Sequence, residues 1–162
     1  MADEPLVTIV LGGPPMGKKR HRSRVVIPKI GRPWVQTYPD PDGVAYEADL
    51  AAAGREAMAA SGLIADPFDG PLTVFIEAFI AIPESWSAKK KAAAAAGDIS
   101  PTGKPDWDNF GKIASDALNK IVWQDDSQII MGQVLKQYSD FPRLRVSVWN
   151  WNDIGPPEPE FL

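Results

Sequence analysis

The sequence predicts an α+β fold: one small domain in which a mixed or antiparallel sheet packs against helices. Three observations predict it. β-Branched and aromatic runs alternate with helix-forming runs in the order β, α, β, α, α, β, β, not in the strict alternation of a doubly wound parallel sheet. The chain has 162 residues, which fits one domain with a real core. Its composition, 44% hydrophobic and 23% charged, is that of an ordinary globular protein, and no apolar run approaches the 18 or so residues that cross a bilayer.

The elements follow in order. "LVTIVLGG" (6–13) is β-branched and reads as a strand closed by glycines. "SRVVIPK" and "PWVQTY" are short β-prone runs on either side of "IGR", which predicts a hairpin or extended arm. "YEADLAAAGREAMAASG" (46–62) has helix-forming composition and stops at Gly62. "PLTVFIEAFIAIP" (71–83), bounded by prolines, is the longest β-branched and aromatic run and is expected to be a central strand. "ESWSAKKKAAAAAG" is helix-prone, with Ser85 as N-cap and Gly97 as stop. A further helix is expected from Trp107 to Val122. "SQIIMGQVLKQYS" and "LRVSVWNW" then read as an antiparallel pair joined at "DFPR", with Trp149 and Trp151 pointing the same way. We expect one domain over 1–152 and a loose, proline-rich acidic tail over 153–162.

Several classes are excluded or disfavoured. The acidic start "MADEP" and its short apolar run argue against a signal peptide. The absence of cysteine removes disulfides and thiolate metal sites, and a cytoplasmic protein is expected. His21 is the sole histidine, too few for a histidine-rich zinc site. "GGPPMGKK" imitates a phosphate-binding loop, but Lys19 stands where the metal-binding hydroxyl belongs and two prolines remove backbone donors, so no nucleotide cofactor is expected. The net charge of −4 hides a strong asymmetry. Seven of the 17 basic residues, Lys18, Lys19, Arg20, Arg22, Arg24, Lys29 and Arg32, lie in one segment without an acid among them. Because screening lets the near field decide, such a segment on an acidic body is suited to a phosphate backbone.

The densest chemistry lies in "KPDWDNFGK" (104–112) and "WQDDSQI" (123–129). On a helical wheel Asp108, Lys112 and Asp116 form one row at i, i+4 and i+8, with Asn109, Ser115 and Asn119 on the same half. Phe110, Ile113, Ala114, Ala117, Leu118 and Ile121 fall opposite, and Asp106 occupies the N-cap position. Taken alone, that is also the pattern of a well-made surface helix. Whether the helix and Asp126 meet is not readable from spacing.

The block "KPDWDNFGKIASDALNKIVWQDDSQI" (104–129) closely resembles the signature of the RusA-type Holliday-junction resolvases. It has Asp-x-Asp-Asn, a lysine four residues after the second Asp, then Asp-Ala-Leu, and an Asp-Asp pair before a Gln two residues on. "GGPPMGKKRHRSR" is similar to the family's Pro-Pro segment leading into a basic stretch, and "IPESWSAKKK" resembles a motif of phage members. The resemblance implies a RusA-like α+β homodimer that cleaves four-way DNA junctions with Mg²⁺ or Mn²⁺. It places metal-binding aspartates at Asp106, Asp108 and Asp126 and a catalytic lysine at Lys112. Asp116 is then structural or supporting, and Asp125 a weaker ligand candidate. Lys18, Lys19, Arg20, Arg22, Arg24 and Lys104 are the expected nucleic-acid contacts. Carboxylates that leave open positions suit hard divalent cations. The alternatives are a nuclease for other branched DNA, such as forks or flaps, and a non-catalytic protein that binds branched DNA.

Overall fold

The computed structural model describes residues 4–62 and 66–155. Its elements are β1 (Val7–Gly12), β2 (Arg22–Val26), β3 (Trp34–Tyr38), α1 (Pro41–Ala60), β4 (Leu72–Ala81), α2 (Ala88–Ala95), α3 (Trp107–Leu118), β5 (Ile129–Ser139), β6 (Arg143–Asn150) and α4 (Trp151–Ile154). This is the expected α+β architecture. No helix among the described residues is long and apolar enough to cross a membrane.

Four strands form a mixed sheet in the order β1-β6-β4-β5. β4 is central, as its composition predicts, because it is buried along most of its length and both edges are paired. It runs parallel to β5 and antiparallel to β6. The expected β5–β6 hairpin is therefore wrong: the short connection at 140–142 carries the chain from one side of β4 to the other. The pattern of each strand shows which face it buries, but the partner is chosen by β4, whose two edges both need hydrogen bonds.

α1 and α3 cover one face of this sheet. Val7, Ile9, Val74, Ile76, Val146 and Val148 from the strands meet Leu50 and Met58 of α1 and Phe110, Ala114 and Leu118 of α3 in one core. Gly54 lets the two helices approach closely, because a Cβ there would lie 2.7 Å from Leu118 Cδ2. On the opposite face Arg145 makes two hydrogen bonds to Glu77, and the Arg143 guanidinium lies 3.5 Å from the centre of the Phe79 ring. Trp86, two residues before α2, meets Tyr138 of β5 edge to face.

Several boundaries differ from the sequence reading. α1 begins at Pro41, five residues before Tyr46, since proline is pre-organised for a first helical position and Asp40 caps it. α2 is capped by Ser87, whose side chain accepts from the Lys90 N–H, and not by Ser85. α3 stops at Leu118 instead of Val122: Asn119 leaves helical geometry, and Lys120 has a φ of 65°. Trp151 does not continue the strand of Trp149. It starts α4, where Asn150 supplies the cap. Most of the expected tail, 156–162, lies outside the described residues.

Asp40 is the best-connected of these caps. Burial alone would raise its pKa, but hydrogen bonds from Lys19, Arg22 and the Gly43 N–H outweigh that and hold the carboxyl below its usual range. A depressed folded-state pKa contributes stability that is present above the unfolded value of about 4 and is lost as pH falls through the folded one. Asp40→Asn is accordingly expected to lower Tm by a few degrees at pH 7. The gap between variant and parent should shrink in melts below about pH 4.

Candidate active site

The N-terminus of α3 is fixed from two sides. Lys136 of β5 donates to the carbonyls of Gly103 and Pro105 at 2.6 and 2.8 Å, tying down the loop that enters the helix. From the other side the Lys18 N–H donates to the Asn109 carbonyl. Gly17 makes that approach possible, since a Cβ there would stand 2.7 Å from Pro105 Cβ and 3.0 Å from Asn109 Cβ. The basic segment is thereby delivered directly to the acidic helix start.

Asp106 takes the N-cap position of α3, yet its side chain makes no capping hydrogen bond. It accepts from Lys104 Nζ instead, in an exposed ion pair. One turn on, Lys112 Nζ donates to Asp108 at 2.7 Å. This hydrogen bond is the main reason the Asp108 carboxyl sits below its ordinary pKa. Both residues open onto a hollow of about 460 Å³ that they share with Lys18, Lys19, Arg20 and Asn109.

The second acidic stretch does reach this helix. A single 3-10 turn, Asp126–Gln128, leads into β5, and Ser115 of α3 donates its hydroxyl to Asp126 at 3.2 Å. Asp108, Lys112, Asp116 and Asp126 line one groove of about 380 Å³ between α3 and β5, together with the exposed Trp107. Asp125 behaves differently. It caps the 3-10 turn in a reciprocal capping box with Gln128, and the hydroxyl and N–H of Ser127 hold its pKa down. Its Oδ1 is already used for folding, accepting from the Ser127 N–H.

Other cations of the basic segment have partners as well. Lys18 bridges Glu47 and Asp116 at 2.5 and 2.6 Å, so Asp116 braces the N-terminal segment to α3. Lys19 pairs with Asp40 and Asp42, and Arg22 with Asp40. Among the described residues, Arg20 and Arg24 have no acidic partner.

No group of three acidic, histidine or cysteine side chains among the described residues stands at metal-binding spacing. The donor set itself suits a hard divalent cation: it is all oxygen, exposed, and balanced at Asp106 and Asp108 by lysines on flexible stems. The unused capping position of Asp106 points the same way, because its carboxylate is spared from the helix. Sequence reasoning missed Lys136, Gly17 and Trp107. It placed Ser115 on the right half of the helix without giving it a partner. A glycine two residues after a Pro-Pro pair signals a close approach, but nothing in the sequence names its neighbour.

A family model described as Endodeoxyribonuclease RusA matches residues 12–149. Among curated proteins, the uncharacterized protein YqaN of Bacillus subtilis (strain 168) is 41% identical over 81 residues, 49% of this chain and 57% of that relative. The chain thus spans little more than half the length of the curated relative it matches.

Proposed function

The chain belongs to the RusA endodeoxyribonuclease family, and from that premise we propose that it is a divalent-metal-dependent endonuclease that resolves four-way DNA junctions by paired nicks. The observation that carries this reading is the groove in which Asp108 and Asp126, 18 positions apart in sequence, are lined up with Lys112 beside a basic segment.

Asp108 and Asp126 of the groove, with Asp106 from the adjoining hollow, would hold Mg²⁺ or Mn²⁺, although the three do not stand at ligand spacing without the cation. When bound, such a cation lowers the pKa of an attacking water and neutralises charge on the phosphate. The chain's own groups do the rest. Ser115 orients Asp126 through its hydroxyl. Lys112, whose ammonium lines the same groove, would stabilise charge that builds on a phosphoryl or leaving oxygen there. Arg20 and Lys104, which line the adjoining hollow, would grip neighbouring phosphates. Resolution needs two cuts related by symmetry, so a two-fold homodimer is the assembly we propose.

A second reading has its own support. Asp106 and Asp108 are satisfied by lysines, which is also what a non-catalytic DNA-binding protein would show. Four matched substrates separate the readings: a four-way junction, a fork, a flap and a linear duplex, each with Mg²⁺ and with EDTA. We expect paired symmetric nicks in the junction, abolished by EDTA and at least roughly tenfold faster than in the duplex, about 1.4 kcal/mol of discrimination. Faster cutting of the fork or flap would reassign the substrate. Tight junction binding with no metal-dependent nick would favour the non-catalytic reading.

A further inference from the structure

β2 and β3 pair only with each other among the described strands, and Arg22 and Asp40 tie the base of this hairpin to α1. Its outer part carries large apolar side chains in water: Val25 and Val35 face each other across the strands, Trp34 is half exposed, and Ile27 and Ile30 at the tip are 78% and 93% exposed. A globular domain seldom leaves such side chains clustered on a protruding arm without a partner. The same arm carries Arg24, Lys29 and Arg32, and no acidic residue occurs from Lys18 to Pro39.

These features together select the occupant. A second copy of the hairpin would meet it with like charge, whereas a polyanion with an apolar interior complements both components. Apolar side chains enter DNA between base steps at the cost of unstacking them, and at a branch point, where stacking is already interrupted, that cost is smaller. We propose that the β2–β3 hairpin is a wedge that places Ile27 and Ile30 against unstacked bases at the branch point while Arg24, Lys29 and Arg32 hold the flanking phosphates. This rests on the branched-DNA reading above and adds a site for recognising the branch, separate from the carboxylates that cut. The hairpin leaves the site directly, since Lys18 is bonded to α3 four residues before β2 begins.

The test uses the full chain and a four-way junction with 2-aminopurine, an adenine analogue that brightens on unstacking, at the branch point. The parent should raise its fluorescence on binding. The paired variant Ile27→Ser, Ile30→Ser, altered only at exposed positions, should keep its Tm and its binding to linear duplex but lose the fluorescence rise. The triple variant Arg24→Gln, Lys29→Gln, Arg32→Gln should instead reduce the salt slope of binding by about one unit per cation removed. An equal fluorescence rise in parent and Ile variant overturns the wedge while junction cleavage keeps the functional reading standing. A parent that neither binds nor cuts the junction overturns both. Loss of self-association in the Ile variant, with fluorescence unchanged, would reassign the tip to a contact between copies and overturn the wedge.

Discussion

Asp108→Asn is expected to lower Mg²⁺-dependent cleavage of a four-way junction by at least roughly 10²-fold, the scale on which removing one charge-stabilising group acts at a hydrolytic centre. The substitution keeps the size of the side chain and removes its charge. Asp108 is ionised at pH 7 as an ordinary carboxylate is, and the hydrogen bond from Lys112 favours that form further, so the variant loses a full negative charge. Its side chain is 43% exposed and lies outside the core, so melts of the variant should match the parent. Junction affinity in EDTA should be kept or improved, since a repulsive charge is gone from a surface facing phosphates. Undiminished cleavage with normal folding would remove Asp108 from the metal site. Loss of cleavage and binding together would point to a role in shaping the basic hollow.

The sequence made the strands, the hairpin and the amphipathic α3 legible because each depends on local periodicity. The buried side of α3, Phe110, Ile113, Ala114, Ala117 and Leu118, is what the wheel shows. Strand partnership was not legible. β5 and β6 are joined by three residues and still pair with β4 instead of each other, because both edges of the central β4 take a hydrogen-bonded partner. The site divided in the same way. Its residue types and their i, i+4 spacing could be read, and so could the likeness that named Asp126. The meeting of Asp126 with α3 could not, because it depends on α3 ending at Leu118 and on a 3-10 turn capped by Asp125. The partners of the basic residues were hidden for the same reason. Lys18 is committed to Glu47 and Asp116, and no local pattern announces a bridge between elements 29 and 98 positions away.

α3 can hold the site in place only if its apolar side is firmly seated, and Leu118→Ala tests that seat. Leu118 is fully buried in the last turn of α3, so its truncation is expected to cost about 2–5 kcal/mol, transfer and cavity contributions together. Tm should fall by about 2–4 °C for each kcal/mol in a domain of this size. Gly54→Ala approaches the same contact from the other helix. Alanine gains up to about 1 kcal/mol of helix propensity. Its methyl would, however, stand 2.7 Å from Leu118 Cδ2, and relieving that overlap in a packed core costs roughly 1–3 kcal/mol, so the single variant should be destabilised. In the double variant Cδ2 is absent and the new methyl occupies part of the vacated space. The two losses should then fall short of additive by about 1 kcal/mol or more. Strict additivity in thermal or urea unfolding would mean that α1 and α3 do not meet at this point. The groove between α3 and β5 would then owe its shape to Lys136 and the Asp126 turn alone. A clear coupling would make the Gly54–Leu118 contact part of what sets Asp108 opposite Asp126, and cleavage should weaken in Leu118→Ala and partly recover when Gly54→Ala is added.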